Sequence, residues 1–208
     1  MDQSNIIIIG GGLAGLTTAY LLENESYAPV ILEARDRLGG RIHTSRSKNH
    51  PPLEMGATWL GQKHEHLISL LDELDIGIYE QYMGAKAYYE PISTSPPQLV
   101  QLPKNDEPTY RIEGGSDNLI NTLRDRLQQT TVKLRQPVTS IQKKGKTIVV
   151  TTTDQQFKAG TVISTLPPKL LDEHINFAPS LPASVTDLMP ATQTWMAESI
   201  KVALTYDR

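Results

Sequence analysis

The stretch from Asn5 to Leu16, NIIIIGGGLAGL, constrains the fold more than any other part of the chain. Its four consecutive isoleucines, Ile6 to Ile9, are β-branched and apolar on both faces, the pattern of a central parallel strand buried between two layers. The run stops at glycine. Gly10, Gly12 and Gly15 stand in G-x-G-x-x-G spacing, and Leu13, Leu16 and Tyr20 then share one face of an amphipathic helix. Each glycine has its own reason. Gly10 permits the tight turn out of the strand, Gly12 removes the Cβ that would hold a pyrophosphate off the backbone, and Gly15 lets the helix pack close to the strand. Phosphates would then face the helix N-terminus.

A second apolar strand, Ala28 to Leu32, ends at Glu33, eighteen positions after Gly15. A carboxylate at that point accepts hydrogen bonds from ribose hydroxyls and repels a 2′-phosphate, which argues against NADP. Strand, glycines, helix, strand and acid together predict a dinucleotide-binding α/β unit.

The 208 residues are enough for one large or two small domains, and 38% hydrophobic content with a mean hydropathy of -0.32 describes a soluble chain. A net charge of -3 leaves no basic patch for nucleic acid. Lys143, Lys144 and Lys146 flank Gly145 in an expected hairpin turn. The glycines interrupt any membrane-length apolar run and no targeting segment is read, so the expected location is cytoplasmic. No cysteine is present, which excludes disulfides and thiol chemistry.

Beyond Glu33 the chain passes through a polar turn, ARDRLGGR, and a loop with Pro51 and Pro52. A helix is expected over Lys63 to Asp75, closed by Gly77. His64 and His66 in its first turn point to different faces, and no metal site is expected. Short strands and turns fill Ile78 to Glu113. A second helix follows Gly114-Gly115, with Ser116 as N-cap and Leu119, Ile120, Leu123 and Leu127 as its buried stripe. Strands are expected at Val132–Leu134, Val138–Gln142, Thr147–Thr153 and Thr161–Thr165, then a short helix near Ala183 to Met189. A last strand is expected from about Glu198 to Tyr206.

Five segments carry a resemblance: IIIIGGGLAGL, LEARDRLGGRIHT, EMGATWLG, RIEGGSDNLINTLRDRL, and the series PVTSIQ, VISTLPP and SIKVALTYD. Together they resemble the flavin-containing amine oxidases, the family of monoamine and polyamine oxidases and flavin-dependent histone demethylases. The resemblance implies an α/β fold, a Rossmann-like three-layer FAD/NAD(P)-binding domain with a second, smaller and incomplete α+β substrate domain. It divides the chain into 1–78 and 113–169 for the FAD-binding domain, 79–112 for a substrate-domain segment and 170–208 for the start of the substrate domain.

The cofactor implied is FAD, held non-covalently; without cysteine no thiol tether exists. By the same resemblance the cofactor-binding positions are Gly10, Gly12, Leu13, Ala14, Gly15, Glu33, Ala34, Arg35, Gly39, Gly40, Arg41, Gly56, Ala57, Thr58, Val138 and Thr165. Gly39, Gly40 and Arg41 would lie along the pyrophosphate, where a guanidinium suits a diphosphate. Gly56 and Ala57 would pass beside the flavin ring, and the Val138 backbone would hold the adenine edge. Read without the family, Arg41 is a surface ion-pair residue and Val138 a core residue.

Lys201 is the catalytic residue the resemblance implies, holding a water against flavin N5. The apolar pattern around it, Ile200 to Leu204, also describes a solvated lysine guarding an edge strand. Trp59, Tyr88, Tyr89 and Trp195 are available as aromatic walls.

The implied function is FAD-dependent oxidation of a small-molecule amine by hydride transfer from the C–H beside the nitrogen, with reoxidation by oxygen. Two alternatives stay open: a desaturase or porphyrinogen-type oxidase, and a non-catalytic FAD-binding module. The segment between Gly61 and Gly114 is shorter than the family's usual insert. The family also continues past the lysine strand into aromatic residues and a C-terminal flavin-binding segment. The chain therefore reads as an N-terminal portion, with a second copy or a complementary C-terminal chain as its macromolecular partner.

Overall fold

The structure is a computed structural model that describes residues 2–3, 5–48, 50–92, 94–103, 107–194 and 199–204. The first elements are β1 (Asp2–Gln3), β2 (Ile6–Ile9), α1 (Leu13–Asn24) and β3 (Val30–Leu32). A hairpin of β4 (Thr44–Ser47) and β5 (His50–Glu54) follows, then β6 (Leu60–Gly61), α2 (Glu65–Glu73) and β7 (Ile78–Glu80). Next come β8 (Lys86–Tyr89), β9 (Gln98–Gln101), β10 (Thr109–Ile112), α3 (Asp117–Arg126) and β11 (Thr131–Lys133). The chain finishes with β12 (Val138–Lys144), β13 (Thr147–Thr152), β14 (Gln156–Ala159), β15 (Thr161–Ser164), α4 (Pro168–His174), β16 (Asn176–Ala178) and α5 (Ala183–Thr186).

Strand β2 lies inside a four-stranded sheet in the order β11-β3-β2-β15, parallel throughout. Its isoleucines are divided between two cores by the two-residue period of a strand. Ile6 and Ile8 pack with Leu16, Ala19, Leu119 and Leu123 on the helical side. Ile7 and Ile9 pack with Val138, Val150 and Phe157 on the other. That second layer is a sheet in the order β1-β14-β13-β12-β16, whose centre is an antiparallel meander turned at Gly145, φ +63°. Helices, parallel sheet and meander make the three layers. A smaller sheet, β6-β10-β7, adds Leu60 and Ile112 to the helix-side core, and β8–β9 form a separate two-stranded hairpin. Among the described residues no helix is long and apolar enough to cross a membrane.

Several elements differ from the sequence reading. The proline loop after Thr44 is a hairpin, and its ladder accommodates Pro51 and Pro52 by a register shift that leaves both out of the paired positions. Helix α2 is closed by Asp75, φ +56°, with Ile76 N–H donating to Leu71 O (2.9 Å) and Asp75 N–H to Asp72 O (3.1 Å), a Schellman cap; Gly77 does not close it. Gly77 instead makes room for the Glu113 carboxylate.

Ser116 occupies the N-cap position of α3 but is itself helical, φ -64° and ψ -24°, and its side chain caps nothing. The free amides are met from the β4–β5 hairpin. Ser116 N–H donates to Glu54 Oε1 (2.7 Å) and Asp117 N–H to Thr44 Oγ1 (3.1 Å). The strand expected from Glu198 to Tyr206 is not formed over 199–204, which have no ladder partner; its remaining positions, and Trp195, lie outside the described residues.

Candidate active site

The turn from β2 into α1 is shaped by backbone approaches. Gly10 has φ +105°, and a Cβ there would meet Thr165 Oγ1 at 2.7 Å. A Cβ at Gly15 would collide with the Gly10 carbonyl oxygen, so helix and strand touch as the spacing requires. Thr165 closes the turn from β15: its N–H and its hydroxyl both donate to Ile9 O, at 3.0 and 2.9 Å. No side chain caps α1, whose N-cap is Gly12. Its first amides, at Leu13, Ala14 and Gly15, therefore remain donors without intrahelical acceptors.

Glu33 is 7% exposed at the end of β3. Its Oε2 accepts from Gly11 N–H (2.6 Å) and its Oε1 from Arg35 N–H (2.9 Å). The carboxylate thus ties the glycine turn to the loop that follows it, through Gly11, a glycine outside the three-position motif. Gln136 N–H donates to Glu33 O (2.8 Å), which brings the approach to β12 and Val138 to the same end. Val138 itself is buried in the meander-side core, and Ala34 is exposed.

The Gly39-Gly40 turn lies directly on this motif. Gly39 N–H donates to Gly11 O (2.9 Å), Gly39 forms a bridge with Gly12, and both glycines have positive φ, +100° and +56°. A Cβ at Gly40 would stand 3.2 Å from the Gly12 Cα. Two arginines brace the loop: Arg35 and Arg37 both donate to Gly40 O, at 3.1 and 3.0 Å, and Arg37 also to Ile42 O at 3.2 Å. Burial and then the neighbouring Arg35 push the Arg37 guanidinium below its ordinary pKa. Sequence reasoning missed Arg37; its signal was a basic residue between the ribose-type acid and the paired glycines. The Arg41 guanidinium is exposed and makes no hydrogen bond or ion pair among the described residues.

From Arg41 the backbone leads to the next segment. Ala57 N–H donates to Arg41 O (3.0 Å), and a Cβ at Gly56 would collide with that same carbonyl. Gly56 is therefore required by the fold itself. Thr58 Oγ1 donates to Gly56 O (3.0 Å). Lys201 reaches this segment from 145 residues away, its Nζ donating to Gly56 O and to Thr58 Oγ1, each at 2.8 Å. The structure thus links Lys201, Gly56–Thr58, Arg41, Gly39-Gly40 and Gly12 in one continuous run. Trp59, Tyr88 and Tyr89 are all exposed, Trp59 by 65%, and belong to no core. His64 Nδ1 accepts from Gly61 N–H (2.8 Å), a local turn contact.

A sequence profile of the family described as flavin containing amine oxidoreductase matches residues 13–90 and 92–208. Flavin-containing amine oxidase B of Mus musculus is 37% identical over 79 residues, 38% of this chain and 15% of that protein. Polyamine oxidase 4 of Oryza sativa subsp. japonica is 42% identical over 85 residues, 40% of this chain and 16% of its own length. In three dimensions, wild-type putrescine oxidase bound to putrescine gives a TM-score of 0.75 at 19% identity, over 90% of this chain and 63% of that one. Cyclohexylamine oxidase from Brevibacterium oxydans IH-35A gives 0.75 at 15% identity, over 89% and 62%. These structural likenesses show the fold. The matched segments span 15% and 16% of the length of the two curated relatives.

Proposed function

The chain belongs to the flavin containing amine oxidoreductase family, and from that premise we propose that it binds FAD non-covalently and takes part in the oxidation of a small-molecule amine. The observation that carries this reading is the convergence of the Lys201 ammonium on Gly56 and Thr58, in the run that leads back to the glycine turn.

The donor set suits a dinucleotide. The uncapped amides of Leu13, Ala14 and Gly15 and the exposed Arg41 offer positive charge and N–H groups to a diphosphate. Glu33 would accept from ribose hydroxyls and disfavour a 2′-phosphate, while the Gly12–Gly40 contact keeps Cβ atoms off the phosphate path. Ala34, Arg35, Val138 and Thr165 would frame the nucleotide end; Gly56, Ala57 and Thr58 would face the ring. When bound, the flavin supplies the hydride-accepting chemistry. Lys201 would hold a water beside that ring. An ammonium has three N–H donors, and two are already used on protein oxygens. No general base is assigned.

We assign 1–78 and 113–169 to the FAD-binding half, and 79–112 and 170–208 to the substrate side. Ile200, Val202 and Leu204 are 90%, 72% and 70% exposed, and this supports a second copy or a complementary chain as the partner that covers them.

The test is an absorbance spectrum of the purified chain after incubation with FAD and gel filtration, followed by anaerobic addition of primary and secondary amines. Flavin that travels with the protein and bleaches with an amine supports the reading. A chain that retains no flavin, alone or with a second copy present at high concentration, overturns it.

A further inference from the structure

Residues 199–204 join no sheet, and within 200–204 Lys201 alone is hydrogen-bonded to the rest of the described chain. An exposed lysine on such a segment would ordinarily sample many rotamers. Here three polar atoms close a triangle: Gly56 O accepts from Thr58 Oγ1 (3.0 Å) and from Lys201 Nζ (2.8 Å), and Thr58 Oγ1 accepts from Lys201 Nζ (2.8 Å). The hydroxyl has spent its one proton on Gly56, so only its lone pairs face the ammonium. Thr58 is half-buried, and its branched Cβ restricts χ1.

We propose that Thr58 is a positioning residue for Lys201: with the Gly56 carbonyl it fixes two of the three ammonium donors and thereby sets the direction of the third. Gly56 cannot leave its place, because its backbone is packed on the Arg41 carbonyl. Thr58 is the side chain on which the orientation depends. The consequence for amine oxidation rests on the role given to Lys201 above, in which the third donor holds a water.

The experiment uses the full chain with ¹⁵N-labelled lysine and reads the side-chain ammonium resonance of Lys201, assigned by its loss in Lys201→Arg. A hydrogen-bonded ammonium exchanges slowly enough to be observed, whereas a freely solvated one broadens. Thr58→Val, close in shape but without an acceptor, should abolish the resonance, and Thr58→Ser should keep it. Thr58→Ala serves if the valine variant does not fold. In FAD-loaded protein, Thr58→Val should slow flavin reduction by a primary amine roughly tenfold, with the apparent amine affinity unchanged and Thr58→Ser within about threefold of wild type.

A Lys201 resonance that persists in both Thr58→Val and Thr58→Ala overturns the proposal. So does an amine reaction at wild-type rate once the resonance is gone. If wild-type protein oxidises no amine, the preceding functional reading fails, and the resonance still decides whether Thr58 orients the lysine.

Discussion

At the scale of single residues, the one carboxylate of Glu33 joins two loops, and in the proposed function it also accepts from a ribose. It is nearly buried, and both oxygens are held by backbone amides on either side of the glycine loops, Gly11 and Arg35. Bonds from neutral amides to a carboxylate are the stronger kind, and a glutamine would have to point its own NH₂ at one of two donors. Glu33→Gln should therefore lower flavin affinity by about tenfold to a hundredfold, read by fluorescence quenching on titration with FAD. It should also lower the urea midpoint of the cofactor-free chain. A variant that binds flavin normally would show that the carboxylate only staples the loops.

At the scale of elements, the start of α3 is completed by a different part of the chain. Glu54 and Thr44 supply the oxygens for its first amides, and Arg46 clamps Asp117 and Gly114 O at 2.5 to 3.0 Å. Ser116→Ala should change stability by less than about 0.5 kcal/mol, whereas Glu54→Ala should cost about 1–3 kcal/mol, both measured by chemical denaturation. Glu23, at the end of α1, accepts from the amides of Gln128, Gln129 and Thr130 at 2.5 to 3.0 Å and anchors the loop leading to β11. Burial pushes this carboxyl up, but the bonds from 128–130 outweigh it and hold the group below its ordinary value of 4.5. A depressed carboxyl stabilises the fold above its unfolded pKa and loses that contribution as pH falls through the folded one. Glu23→Gln should thus lower the neutral-pH melting temperature, and its gap from wild type should close in acid. A gap independent of pH would contradict this assignment. These contacts explain what the sequence left unread. The isoleucine run, the three glycines and Glu33 carry local signals, so their strand, turn and acid were legible. The capping of α3 by residues 62 and 73 positions away, and the fixing of Lys201 by Thr58, 143 positions away, have no local signature. Asp75 closed α2 where Gly77 was expected because an aspartate tolerates the left-handed turn.

At the scale of the whole molecule, one strand serves two cores. Ile8 faces the helices and Ile7 the meander, both fully buried. Ile7→Ala and Ile8→Ala should each cost about 2–5 kcal/mol, and because the two side chains pack into different clusters the double variant should lose close to the sum, read from denaturation midpoints. A strongly sub-additive result would mean that the layers move together. The same strand finds one of its neighbours very late: β2 pairs with β15, and Thr165 closes the Gly10 turn across 155 residues. During synthesis at about 5–20 residues per second, Ile6 to Ile9 wait on the order of ten to thirty seconds for β15, long after β3 has been made. For that interval four consecutive β-branched apolar residues lack one of their two strand neighbours, so the pairing that completes the parallel sheet is also the one most open to competition from another chain's edge.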